Sequence, residues 1–311
     1  MTRMTDTIVS VIIPTYKRAI DISRAVDSVL NQTLNQVECI VVDDNGLNTP
    51  DGDETAAVMA RYANESRVKY IRHEVNKNGA VARNTGIKVA VGKYISFLDD
   101  DDAYMPTRLE RMCEKMNDLD ESWGACYTGY VKHQANGKDQ FSDEKQEGDL
   151  FLKALSRSLY IGTGSNLFFR HSAVDKIGLF NESFRRNQDL EYLIRILSNY
   201  KIAYVDEVLM EAFYDIRTVS PTFEQSKERE EIFRKNFKEY LEGLSVKQKR
   251  SVQIMYDIDW IRACIGYKKF SDLVKTIKKA KIPLYVYWQY AKYAYDRWKR
   301  CVSYGFDVVL K

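Results

Sequence analysis

The chain has 311 residues, 45% of them hydrophobic and 29% charged, with a formal net charge of +3. That balance is ordinary for a globular protein and excludes a chain too polar to build a core. No apolar run approaches the ~18 residues of a membrane-crossing helix. Five cysteines, Cys39, Cys113, Cys126, Cys264 and Cys301, show no C-x-x-C spacing and argue for reduced thiols rather than a disulfide framework. No secretory leader is read at residues 1–11, because the short apolar run there leads straight into the first strand.

Residues 8–13 are a nearly unbroken β-branched run that ends in Pro14-Thr15-Tyr16, and Ile22, Val26, Val29 and Leu30 then fall on one helical face. A second run, 39–42, ends in Asp43-Asp44-Asn45-Gly46. After a long connection come the run 68–71, a helix expected near 80–91, and the run 94–98. That last run empties into Asp99-Asp100-Asp101-Asp102. Leu109, Met112, Cys113 and Met116 follow at helical spacing. Apolar runs without alternation indicate strands covered on both faces. The βαβ order makes a doubly wound α/β sheet the expected fold. Ligands of such sheets bind outside the carboxyl ends of the strands, so both acidic clusters are expected at one crevice.

Four adjacent carboxylates repel one another unless a cation neutralises them. One reading is a divalent metal site with hard oxygen ligands, Mn²⁺ or Mg²⁺. The other is a solvated acidic turn that caps the helix after Pro106, a role open to Asp102. Neither G-x-G-x-x-G nor G-x-x-x-x-G-K-[ST] follows the first strand, so a glycine cradle for phosphates is not expected. A metal on the aspartates, with Arg83, would supply the positive charge that a nucleoside diphosphate needs.

The segments VSVIIPTYKR, SVLNQT, CIVVDDN, NGAVARNTGI, YISFLDDDDAYMPTRLE, GLFNESF and QDLEYLIRI, taken together, resemble family 2 glycosyltransferases of the GT-A fold over about residues 8–220. The resemblance implies an inverting transfer of a hexose or N-acetylhexosamine from a nucleotide-sugar, most often UDP-linked, with a divalent metal. It implies that Asp44 or Asp43 meets the base, that Pro14, Thr15 and Tyr16 line the base and ribose pocket, and that Arg83 contacts the nucleotide. The D-x-D element maps onto Asp99 and Asp101, with Asp101 as metal ligand and Asp99 or Asp100 at the ribose. Asp189 falls at the position of the general base and Gln188 stands where relatives carry glutamate; helix 190–198 could equally take Asp189 as its cap. In place of a late histidine stands Arg217, suited to diphosphate oxygens, with Asp215 as a possible approach to the metal. The implied acceptor is a glycan or polyprenyl-linked saccharide in capsule, O-antigen or exopolysaccharide synthesis, at the inner face of the plasma membrane.

On the acceptor side, Gly164 and Ser165 precede the apolar run 167–169, and small residues there would let a sugar approach. Residues 134–148 read as a mobile loop, a short helix starts at 172 and stops at Gly178, and His73, His133 and His171 read as surface or loop residues. A GT-A domain is expected over 1–222 and a helical region over 223–311. Between Lys268 and Arg300 ten basic residues face two acidic ones, interleaved with Tyr285, Tyr287, Trp288, Tyr290, Tyr293, Tyr295 and Trp298. Such a segment suits an anionic membrane surface, or packing within the chain or in a homodimer; no recognition motif supports a nucleic-acid partner. A nucleotidyltransferase is disfavoured for want of a triphosphate loop. A non-catalytic relative that holds a nucleotide-sugar or glycan in an assembly complex remains the alternative, kept open by Gln188 and Arg217.

Overall fold

A computed structural model describes residues 7–135, 137–213 and 221–308. They form two compact units, one of residues 7–151 and 161–213, the other of residues 152–160 and 221–308. The second unit thus takes up a short segment that sequence spacing assigns to the first.

The first unit opens with β1 (Val9–Thr15), α1 (Ile22–Leu30), β2 (Val37–Asp43), α2 (Pro50–Met59), β3 (Val68–Arg72), α3 (Gly79–Val89) and β4 (Tyr94–Phe97). β1 pairs in parallel with β2 and β4, and β2 pairs in parallel with β3. β5 (Ala103–Tyr104) and α4 (Arg108–Asn117) follow, then the long β6 (Trp123–His133), β7 (Asp139–Ser142), α5 (Phe151–Leu155), which from Leu152 on belongs to the second unit, β8 (Phe168–Arg170), α6 (His171–Ile177), α7 (Gln188–Leu197) and β9 (Lys201–Phe213). The sheet runs β7-β6-β8-β4-β1-β2-β3, with β9 beside β6 and β5. β8 is antiparallel to β4 and β6, which makes the sheet mixed.

The apolar runs are continuous because both faces of the strands are covered. Val9, Val11 and Ile13 pack with Ile22, Ala25, Val26 and Val29 of α1 in one core. Ile12 points the other way, into α3, where a Cβ on Gly86 would collide with its side chain. That close approach requires glycine. Leu109, Met112, Cys113 and Met116 are buried on α4, and Gly178 closes α6 with φ of 83°. The segment 134–148 is not wholly irregular, since β7 pairs with β6 across it. Alternation over Asp139-Gln140-Phe141-Ser142 is too short to announce a strand. The cysteines are free; Cys39, Cys113, Cys126 and Cys264 are buried.

The second unit is helical: α8 (Phe223–Asn236), α9 (Lys238–Gly243), α10 (Val246–Gly266), α11 (Phe270–Ala280) and α12 (Leu284–Arg300), ending in a two-residue strand, β10 (Val302–Ser303). Capping boxes start α8 at Thr222 with Gln225 and α10 at Ser245 with Gln248. Ile254, Ile258, Ile261, Val286 and Phe306 form its core. Arg157 explains why 152–160 belongs here. Its guanidinium lies 4.5 Å from the Phe233 and Tyr256 ring centres and pairs with Glu230 at 2.6 Å.

In the first unit, the buried Arg170 donates from Nε to Trp123 O at 2.8 Å and from Nη2 to Met116 O at 2.7 Å and Leu119 O at 2.8 Å. It satisfies the carbonyls that end α4 and lead into β6. Removing it strands those acceptors, so Arg170→Met is expected to lower stability by roughly 3 kcal/mol. The check is the urea midpoint, which falls at constant slope; an unchanged midpoint would refute the role.

Candidate functional site

The carboxyl ends of β1, β2 and β4 open on one cavity of about 480 Å³, whose lining includes Pro14, Thr15, Tyr16, Asp44, Arg83, Asp99, Asp100, Gly164, Gln188 and Asp189. The strand-end rule places it. Asp43, Asp101 and Ser165 are not among the lining residues. Arg217 and Asp215 lie outside the described residues.

Asp44 is buried, and each of its oxygens already accepts two hydrogen bonds. Oδ1 takes His73 Nδ1 at 2.7 Å and Lys77 N at 2.9 Å; Oδ2 takes Asn76 Nδ2 at 2.8 Å and Asn78 N at 2.9 Å. A carboxylate has about four such positions. Asp44 therefore fixes the loop 76–78, which forms part of the cavity wall. His73 is buried in this network and also meets Thr85 Oγ1 at 2.9 Å, so it is not the surface residue expected from spacing. Asp43 turns toward β3, where it accepts from Tyr70 OH at 2.5 Å and from Asn45. Thr15 Oγ1 is buried at the cavity wall, where the hydroxyl helps to hold down the Asp100 carboxyl.

The four aspartates separate into different jobs. Asp99 pairs with Arg83 Nη2 at 2.7 Å. Asp100 pairs with Arg18 Nη1 at 3.1 Å, and the same guanidinium contacts Asp101. Burial lifts the Asp100 carboxyl to about 7 against the opposing pull of Arg18. Asp101 also fixes Arg24, whose Nη2 donates to its carbonyl at 2.5 Å. Asp102 does not cap a helix. α4 starts at Arg108 behind Thr107, whose side chain makes no cap hydrogen bond. The Asp102 carboxyl instead accepts from Ser165 Oγ at 2.6 Å and Phe213 N at 3.3 Å, and burial beside Asp99 and Asp101 lifts it to about 8.

Behind Ser165 lies Arg108, a fully buried cation. It reaches Thr128, Asn166 Oδ1 at 3.1 Å and Ser165 O at 3.4 Å, over the Tyr104 ring. This network sets the turn 163–166, and Ser165 Oγ in turn accepts from Asp99 N at 2.9 Å. Gly164 faces Asp189 so closely that a Cβ would sit 3.1 Å from that of Asp189. Asp189 is not the cap of α7. Asn187 holds that position at φ of 56°, and Asp189 lies in the first turn, half-buried, its carboxyl raised above the ordinary range by burial and pulled back by Arg83. Gln188 accepts from Arg83 Nη1 at 2.9 Å and donates to Phe184 O at 2.8 Å. A glutamate could make the first contact but would repel the carbonyl, so the amide fits this neighbourhood.

The structure thus gathers Pro14, Thr15, Tyr16, Asp44, Arg83, Asp99, Asp100 and Asp189. Sequence reading missed Arg18, Arg24, Asn76, Asn78 and Arg108. Only Arg18 left a signal, as a cation in the turn after the first strand, where a ligand anion or an acidic neighbour is expected. Among the described residues no three His, Cys, Asp or Glu side chains converge as a metal-binding group.

The glycosyl transferase family 2 model matches residues 10–178. An uncharacterized glycosyltransferase of Rickettsia prowazekii is 29% identical over 283 residues, 88% of this chain and 86% of that protein. The GalNAc(5)-diNAcBac-PP-undecaprenol beta-1,3-glucosyltransferase of Campylobacter jejuni is 25% identical over 280 residues, 89% of this chain and 85% of its own. The crystal structure of S. aureus TarS 1–349 with UDP-GlcNAc superposes with a TM-score of 0.59 at 17% identity, over 82% of this chain and 81% of that one. The matched motifs run from the first strand through the acidic turn that borders the cavity. The chain belongs to glycosyl transferase family 2 and is a glycosyltransferase of the GT-A fold.

Proposed function

We propose that this enzyme is an inverting transferase that moves a hexose or N-acetylhexosamine from a UDP-sugar to a hydroxyl of a lipid-linked or polymeric saccharide in bacterial surface-polysaccharide synthesis. The observation that carries the reading is one cavity with a base-and-ribose wall at Pro14–Tyr16 and Asp44 and a carboxylate, Asp189, beside it. The names of the C. jejuni relative and of the TarS complex support a lipid-linked acceptor and a UDP-linked donor.

The residues divide the work. Pro14, Thr15 and Tyr16 line the end of the cavity proposed for the base and ribose. Asp189 takes the proton of the acceptor hydroxyl, whose oxygen attacks the anomeric carbon while the bond to the nucleoside diphosphate breaks. Gly164 leaves the carboxylate its position, and Arg83 tethers Asp99 and Gln188 between the two ends. The carboxylate oxygens of Asp99 and Asp101 are hard donors that would hold Mn²⁺ or Mg²⁺. Such an ion supplies charge stabilisation to the departing diphosphate. Arg18 already neutralises part of the acidic turn, and Arg217 is proposed to add to the diphosphate side.

The helical unit offers a membrane-facing surface. Val286, Tyr290 and Tyr293 turn α12 into the unit's core. Leu284, Trp288, Tyr295 and Trp298 are 80%, 78%, 59% and 75% exposed. Offsets of four, eleven and fourteen residues are each close to whole turns, so the four form one stripe, flanked by Lys292 and Lys299. Phe270, Val274 and Ile277 repeat the pattern on α11 among Lys275, Lys278 and Lys279. No helix among the described residues is long and apolar enough to cross a membrane. A two-fold dimer through this face would set its positive charge against itself, whereas an anionic leaflet complements it. This surface supports the proposal that the enzyme works at the inner face of the plasma membrane.

Asp189→Asn is expected to cut turnover, measured as UDP release, by about a thousandfold or more with UDP affinity unchanged; retained turnover removes Asp189 as base. UDP binding by wild type without turnover on any acceptor favours the non-catalytic alternative. Because burial raises the Asp189 carboxyl and Arg83 lowers it, activity falls as pH drops through a value above the ordinary aspartate range. Arg83→Gln moves that acid limb to higher pH, and a limb that stays in place contradicts the coupling. Trp288→Ala with Trp298→Ala is expected to abolish sedimentation with phosphatidylglycerol vesicles, which wild type shows and loses in high salt. Equal sedimentation of both proteins, or a dimer dissociated by the substitutions, refutes the membrane surface.

A further inference from the structure

Two arginines on the cavity rim have no acid to answer them. They lie in the segment between Phe180 and α7, which is held at both ends. Asn84 accepts from Phe180 N at 2.8 Å and donates to its carbonyl at 3.0 Å. Phe184 is buried, its N–H bonded to Asn181 O at 3.1 Å and its carbonyl to Gln188. Asn187, in the left-handed region, then turns the chain into α7. With Phe184 anchored inward, Arg185 and Arg186 are displayed at the cavity, exposed, beside Asp189 and Gly164.

The charges at the strand ends are matched. Asp44 has its ring of donors, Asp99 has Arg83, and Asp100 has Arg18. Arg83 is the cation that acts most strongly on Asp189. No side-chain hydrogen bond or ion pair involves Arg185 or Arg186 among the described residues. Two adjacent guanidinium groups repel each other until an anion joins them, and their planar forks suit phosphoryl or carboxylate oxygens. The donor's diphosphate is provided for elsewhere, at the strand ends, by Arg18, Arg83 and the acidic turn. Arg185 and Arg186 stand four and three residues before Asp189, on the segment that enters the helix carrying it.

Resting on the reading of Asp189 as general base, we propose that Arg185 and Arg186 select an acceptor bearing a negative charge near the attacking hydroxyl. The shared chemistry is an oxyanion. A phosphoryl group of a carrier or polymer and a uronate carboxylate are its two sources.

Calorimetry with inorganic pyrophosphate and with glucuronate, on enzyme saturated with UDP and Mn²⁺, separates the possibilities. Wild type is expected to bind at least one probe, and R185A/R186A to bind it ~10-fold or more weakly, the loss of one or two charge-assisted hydrogen bonds. The tighter probe identifies the source. R185K/R186K, which keeps the charge, retains an intermediate affinity. UDP affinity stays within about twofold of wild type, since one tenfold step corresponds to 1.4 kcal/mol. A matching fall in UDP affinity would assign the arginines to the donor and overturn the proposal, as would probe binding that the double substitution leaves unchanged. Asp189→Asn separates this from the catalytic reading: full turnover in that variant sinks the base, while its probe binding reports on the arginines alone.

Discussion

The arrangement depends on one electrostatic constraint, the gathering of carboxylates at the carboxyl ends of β1, β2 and β4. Two unit charges 4 Å apart interact by about 4 kcal/mol at an effective dielectric near 20, so such a cluster stands only if each charge is answered. Each is, and in a different way. His73 and the loop amides hold Asp44, Arg83 holds Asp99, and Arg18 spans Asp100 and Asp101. Asp102 escapes by burial and by Ser165. These pairings order the loops that enclose the cavity. The electrostatic solution is therefore also the architecture of the site.

The same logic separates the parts that bind from the parts that react. On the Asp44 side of the cavity the carboxylate is saturated by four hydrogen bonds. On the other side, Asp189 sits in the first turn of α7, half-buried, with Gly164 closing against it, and burial outweighs the pull of Arg83 and the backbone amides on its proton equilibrium. A carboxylate placed so is suited to accept a proton, whereas the saturated Asp44 is suited to hold a shape. The turn 163–166 connects the two regions through Arg108, Asn166 and Ser165.

Much of this was legible before any coordinates. The runs at 8–13, 39–42 and 94–98 announce parallel strands because burial on both faces removes alternation, and Ile12 against Gly86 shows why, whereas 68–71, with Lys69, is a half-buried strand at the sheet edge. The faces of α1 and α4 follow from helical spacing. What escaped has physical reasons. α2, with Pro50, Asp51, Gly52 and Asp53 in its first turn, carries little amphipathic pattern and is started by Thr49 and proline instead. His73 looked like a loop residue because its partner, Asp44, lies 29 positions away. Arg18 pairs over 82 positions with Asp100. Contacts of that range leave no local spacing to read. The membership of 152–160 in the helical unit, set by Arg157 on Phe233 and Tyr256, is of the same kind.

The central claim is that the acidic turn and its arginines form a seat for a nucleoside diphosphate together with a divalent cation. Calorimetric titration of UDP into the protein, with and without Mn²⁺, addresses it most directly. The account predicts binding that strengthens markedly with the metal and loses that gain in Asp101→Asn. Binding of UDP equally tight without Mn²⁺, or no binding in either condition, would contradict it.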